Sequence, residues 1–184
     1  MTERRDDGRE TIILGGGCFW CLEPVFRDLR GVTAVECGYA GGHVEHPDYE
    51  AVCRGDTGHA EVVKVEFDPA VIGLRDLLEV FFSIHDPTTP NRQGNDVGSQ
   101  YRSVIFTTDE RQAGIARDVV DTLRQQQVFG APIVTELLPA PTYYPAEGYH
   151  QRYYEHHPSQ GYCAVIIAPK LDKFRSRYGD RLKA

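Results

Sequence analysis

Two cysteines three positions apart, Cys18 and Cys21, stand in GGGCFWCLEPVF directly after three glycines. A thiol pair at this spacing can close a disulfide, supply half a zinc site, or be one working nucleophile with an incidental neighbour. Structural zinc needs a second pair. Cys37, Cys53 and Cys163 provide none, and His156 and His157 are adjacent rather than spaced to chelate. Redox exchange and nucleophilic chemistry remain. A cysteine between a strand and a helix start meets free backbone N–H groups and the positive end of the helix dipole, which favour its thiolate. The glycines before it let a substrate or a developing anion approach the backbone. The motif alone serves a thioredoxin-like disulfide exchanger and another thiol enzyme equally well.

A second residue separates those two. In HAEVVKVEFDP the alternation places Glu61 on one strand face with Val63, Val65 and Phe67. A carboxyl held against an apolar face resists ionisation and can stay protonated near neutral pH. At a strand end its head could equally well sit in water. A disulfide exchanger has no use for such an acid, whereas an enzyme that protonates a departing oxygen needs one. Cys37, mid-strand, reads as core, and Cys53 as core or surface filler.

The elements that must carry these residues are legible from periodicity. TIIL (11–14) reads as a short buried strand, followed by a helix from about Cys21 to Leu29 that Gly31 ends. Pro24 is tolerated only in a first helical turn, which pins the start close to Cys18. VTAVECGYAGG reads as a second strand, HAEVVKVEFDP as a third. GLRDLLEVFFSIHDP carries a helical apolar stripe stopped by Asp86-Pro87. After a polar loop come the strand YRSVIFTT and a helix of about 20 residues opened by a Thr107/Glu110 capping box. The strand PIVTELL follows, then an irregular aromatic run, apolar AVIIAP and a short basic helix. This order is the split βαβ pattern. It predicts an α/β fold, a two-layer α/β sandwich with a ferredoxin-like core and a long irregular C-terminal segment wrapped over it.

The 184 residues, 41% hydrophobic and 26% charged, suit one soluble globular domain spanning 1–184, with 1–10 as a disordered tail. The net charge of −7 and the scattered Lys and Arg argue against nucleic acid as a partner. The charged start MTERRDDGRE is neither signal peptide nor anchor, and no apolar run approaches the roughly 20 residues of a membrane span, so a cytoplasmic location is expected. Five irregularly spaced cysteines do not make a secreted disulfide framework.

The segments GGGCFWCLEPVF, GYAGG, PDYEAVCRGDTGHAEVVKVEFDP, RQGNDVGSQYRSVIF and EGYHQRYY…GYC resemble the type A peptide methionine sulfoxide reductases, in the family's order, from about residue 11 to residue 168. The resemblance implies reduction of methionine sulfoxide, free or in proteins, with specificity for the S epimer at sulfur. It implies no metal and no organic cofactor, a thioredoxin or similar dithiol as reductant, and a monomer. Cys18 would attack the sulfoxide sulfur, Glu61 would protonate its oxygen, and Tyr49 and Tyr101 would hydrogen-bond that oxygen. Asp96 would help bind substrate, and Phe19 with Trp20 would wall its methyl group. Cys18 would be left as a sulfenic acid, which a second thiol must condense with. Cys163, matching the family's usual resolving position, is the expected partner on a mobile segment. Cys21, where the commonest form of the motif has Gly, is the alternative, and a relay through both stays open.

Overall fold

The structure, a computed structural model, describes residues 7–184. Of the tail expected over 1–10, residues 1–6 lie outside the described residues. Asp7–Arg9 turn back so that Arg9 meets Glu66 at 3.2 Å, and Glu10 already belongs to the first strand.

The chain runs β1 (Glu10–Gly15), α1 (Phe19–Asp28), β2 (Val32–Ala40), α2 (Tyr49–Cys53), β3 (Ala60–Phe67) and α3 (Leu74–Ile84). A two-strand ribbon follows, β4 (Arg92–Gln93) with β5 (Asp96–Val97). Next come β6 (Val104–Thr107), α4 (Glu110–Gln125), β7 (Glu136–Pro139), β8 (Tyr143–Pro145), α5 (Tyr153–His156) and α6 (Ala168–Arg177). The main sheet has the order β7-β6-β1-β3-β2-β8. Its central four strands pair antiparallel throughout, with the connectivity of the split βαβ pattern. β7 adds a parallel strand beside β6 after the α4 crossover, and β8 adds an antiparallel edge to β2.

Period-2 alternation explains how the sheet divides its side chains. Ile12, Leu14, Val35, Val63, Val65 and Phe67 face a large core that Phe26 of α1, Leu77 and Phe81 of α3, and Phe174 of α6 complete. Ile13, Ala40, Ala60, Val62, Val104 and Phe106 form a smaller cluster on the opposite face, packed against Tyr143. Each fully buried Leu or Phe contributes about 2 kcal/mol through the hydrophobic effect. No helix among the described residues is long and apolar enough to cross a membrane.

Three local expectations need correction. Pro24 lies inside α1 rather than in its first turn. Its ring removes the N–H that would bond the Trp20 carbonyl. α4 is capped by Asp109, whose carboxylate accepts the Gln112 N–H at 2.8 Å while the Gln112 side chain accepts the Thr108 N–H at 2.9 Å, so the box sits two residues past Thr107. The C-terminal segment is largely regular. Gly161 to Arg177 is one helical run whose turn at Cys163–Ile167 is π-helical. Ile167, Leu171 and Phe174 form the buried stripe that holds this run down, and Pro169 sits inside it just after the π turn, where its ring removes one helical N–H donor. Cys163 is therefore a buried helical residue rather than part of an irregular strap.

Candidate active site

Strand β1 ends under the helix it feeds, and the three glycines make the crossing compact. A Cβ on Gly16 would lie 3.0 Å from the His85 and Phe81 rings, and Gly17 adopts φ +95°. The glycines therefore serve close packing and a left-handed turn. The turn delivers Cys18 to the N-cap of α1, with φ −62° and ψ 130°. β3 lies next to β1 in the sheet, and its second residue, Glu61, pairs with Tyr39 of β2 and points into the face that α1 covers. Glu61 is 1% exposed and Cys18 8% exposed.

The electrostatics of the pair follow from that burial. The Phe19 N–H donates to Glu61 Oε1 at 3.2 Å. Even so, desolvation dominates, reinforced by the charges of Asp96 and Cys21, and the carboxyl is pushed up to about 8. At neutral pH it is a neutral acid, as the strand alternation predicts. Cys18 departs from its expectation. Its thiol is raised well above the ordinary value by burial first, then by the Cys21 and Glu61 side chains, and the Trp20 N–H only partly opposes this. One helix-terminal donor that could have favoured its thiolate is spent on Glu61. Cys21, competing with Cys18 for one proton, is lowered, with help from Lys170 and the Tyr162 hydroxyl 3.5 Å away.

Aromatic side chains enclose the pair. The Tyr49 ring lies 6.5 Å from Phe19 and 6.2 Å from Trp20, both near parallel. Burial raises the phenols of Tyr49 and Tyr101, so both stay protonated; Tyr49 also hydrogen-bonds Cys53, and Glu61 and Cys18 lie near both phenols. Phe19 is buried beneath the others, whereas Trp20 is half-buried. Asp96, at the ribbon, accepts the Tyr162 hydroxyl at 2.8 Å. All nine residues expected at the site thus converge on one end of the sheet. They divide into two sides. Glu61, Tyr49 and Tyr101 gather at Cys18, while Tyr162, Asp96 and Lys170 gather at Cys21, with Cys163 next in line. All five cysteines are free thiols. Among the described residues no three His, Cys, Asp or Glu side chains cluster as a metal site requires.

Several contributors escaped the sequence reading. His150 accepts the Trp20 indole N–H through Nδ1 at 3.0 Å, and Tyr153 stacks on the same indole at 3.8 Å and 7°. Glu147 accepts the Tyr39 hydroxyl at 3.0 Å and the Tyr49 N–H at 3.1 Å, fixing where α2 begins. The aromatic density of EGYHQRYY was the available signal, but nothing in it says which ring meets which.

The comparisons with known proteins agree with this geometry. The family described as "Peptide methionine sulfoxide reductase" matches residues 10–182. The chain is 55% identical over 178 residues to "Peptide methionine sulfoxide reductase MsrA" of Polynucleobacter asymbioticus, covering 97% of this chain and 94% of that one. Mxr1 from Saccharomyces cerevisiae in reduced form superposes with a TM-score of 0.79 at 34% identity, over 89% of this chain and 95% of the other. Mxr1 in complex with Trx2 gives a TM-score of 0.56 at 25% identity, over 83% and 92%. Matched by the family over residues 10–182 and 55% identical to a relative along nearly its whole length, the chain belongs to the peptide methionine sulfoxide reductase family.

Proposed function

We propose that the protein reduces methionine S-sulfoxide, free or in proteins, with Cys18 as nucleophile, Glu61 as acid, Cys21 as first resolving thiol and Cys163 as second. The observation that carries this is Glu61, a fully buried carboxyl held near pKa 8 against the Cys18 sulfur. A sulfoxide oxygen is a poor leaving group until protonated, and only an acid neutral at working pH can protonate it. Tyr49 and Tyr101 would add two phenolic donors where charge develops on that oxygen. Phe19 and Trp20 would wall the methyl group, and Asp96 would hold the substrate's polar end once Tyr162 releases it.

The proton count closes. Glu61 gives its proton to the oxygen as the Cys18 sulfur attacks, and the proton Cys18 sheds restores Glu61. The oxygen ends on Cys18 as a sulfenic acid, and methionine leaves. The Cys21 thiol, whose proton is the more acidic of the pair, displaces that hydroxyl as water and closes a Cys18–Cys21 disulfide. The Cys163 thiol, beside Cys21, then exchanges into it. This order reverses the sequence preference for Cys163 as first partner, and the support for it is that Cys21 is the thiol hydrogen-bonded to Cys18.

A dithiol reductant must complete the cycle. The yeast relative's complex with Trx2 supports a thioredoxin in that role. A cytoplasmic setting belongs to the same proposal, because every turnover starts from reduced thiols. The test is stereochemical. With dithiothreitol as reductant, the S epimer of N-acetylmethionine sulfoxide should be consumed and the R epimer spared, and equal consumption of both would refute the reading.

A further inference from the structure

Glu23 lies in α1, five residues after Cys18, and takes no part in the chemistry above. Its side chain is only 3% exposed, a burial that a carboxylate tolerates when its oxygens are bonded. They are. Oε1 accepts the Arg152 backbone N–H at 2.6 Å and lies 3.5 Å from Arg27 Nε, while Oε2 accepts the Cys37 thiol at 3.0 Å. One carboxylate thus joins the nucleophile's helix, strand β2 and the corner that precedes α5.

That corner needs an anchor. Arg152 adopts φ +54° and ψ +36°, the left-handed region that disfavours any residue with a Cβ. Beside it, the Gln151 amide bonds both backbone groups of Cys37, accepting its N–H at 2.8 Å and donating to its carbonyl at 2.9 Å. The residues on either side of this fastening are the two that hold Trp20. His150 accepts the indole N–H, and Tyr153 covers the indole face.

We infer that Glu23 is a positioning residue for sulfoxide reduction: it locks the 150–153 corner onto α1 and thereby fixes the indole of Trp20 as a substrate wall. The substrate half of this inference rests on the reading of Trp20 in the proposed function. A merely structural Glu23 would change stability without moving the indole or the apparent substrate affinity.

Trp20 is the only tryptophan in the chain, so intrinsic fluorescence reports on it alone. Glu23→Leu fills similar volume and removes every acceptor, whereas Glu23→Gln keeps a carbonyl oxygen for the Arg152 N–H. Leu is expected to shift the emission maximum and raise KM for N-acetylmethionine S-sulfoxide about three- to tenfold, the net worth of one ordinary hydrogen bond passed on through the corner. The saturating single-turnover rate should change less than about twofold, because Cys18 and Glu61 are untouched. Gln should restore both emission and KM. If Glu23→Leu fails to fold, Glu23→Asp takes its place, being one methylene too short to reach Arg152 and Cys37 together. Combining either variant with Tyr153→Ala should add nothing to the KM of Tyr153→Ala alone, since both act through the same ring.

Parental emission and KM in the Leu or Asp variant would overturn the inference, as would full additivity with Tyr153→Ala. A shifted emission with unchanged KM would overturn the substrate-wall role on which it rests. Absence of turnover in the parent protein would defeat the proposed function itself, an outcome the emission readout keeps separate.

Discussion

Replacing Glu61 with Gln should slow the enzyme and stabilise the protein. The carboxyl has a folded pKa of about 8 against an ordinary 4.5. Protonation at pH 7 is then about nine-tenths complete, where an ordinary carboxyl would be about 0.3% protonated, so burial enriches the acid form about 300-fold. That enrichment has a thermodynamic counterpart. Between the two pKa values the unfolded chain ionises this group while the folded chain keeps its proton, so the folded state binds more protons and stability falls as pH rises. The favourable difference is fully present below about 4.5 and is lost as pH climbs through about 8. Integrated to pH 7, the loss is on the order of 3 kcal/mol. Gln never ionises, and its carbonyl can still accept the Phe19 N–H that now reaches Oε1. Urea unfolding at several pH values should therefore show Glu61→Gln matching the parent near pH 4.5 and exceeding it by up to about 3 kcal/mol at pH 7. Single-turnover rates should meanwhile fall about 10²- to 10⁴-fold, the usual worth of a general acid. A variant less stable than the parent at every pH, or one turning over at the parental rate, would refute this account of a buried neutral acid.

Other expectations follow from the same geometry. The rate of the chemical step, followed by stopped flow, should hold below pH 8 and decline above it as Glu61 loses its proton, since only the protonated acid is useful. Tyr49→Phe and Tyr101→Phe should each lower the single-turnover rate about 10²- to 10³-fold by removing a donor to the sulfoxide oxygen. Cys163→Ser should let the Cys18–Cys21 disulfide accumulate in peptide maps after one turnover, while Cys21→Ser should prolong the sulfenic acid, detected with a dimedone-type trap. Gly42→Ala should destabilise the fold by about 1–3 kcal/mol in denaturant titration, because its Cβ would lie 2.4 Å from the His59 nitrogen and the Thr57 carbonyl oxygen in the turn that precedes Glu61.

What could be read from sequence was whatever a local period encodes. β1, β2, β3 and α3 emerge from alternation or a 3.6-residue stripe, and the Glu61 face follows from the same alternation. The motifs supplied the nine candidate residues that the fold brings to one end of the sheet. Tertiary placement was beyond reach. β8 gains strand character by pairing with the edge of β2, and Pro169 hides the continuity of the helical run that buries Cys163. The proton balance at Cys18 is not legible in sequence, because the helix terminus shows there, whereas the desolvation and the Cys21 and Glu61 side chains that outweigh it arise only on folding. Glu23 gave no signal either, since its partners Cys37 and Arg152 lie 14 and 129 residues away.

The most direct test of the account is a single turnover without reductant. Fully reduced protein meets excess methionine S-sulfoxide, methionine is counted, and disulfides are mapped over time by mass spectrometry. The account requires about one methionine per chain in the first step, with Cys18 bonded to Cys21 before Cys163 enters any disulfide. A protein that releases no methionine, or one in which Cys18→Ser releases as much as the parent, would contradict it.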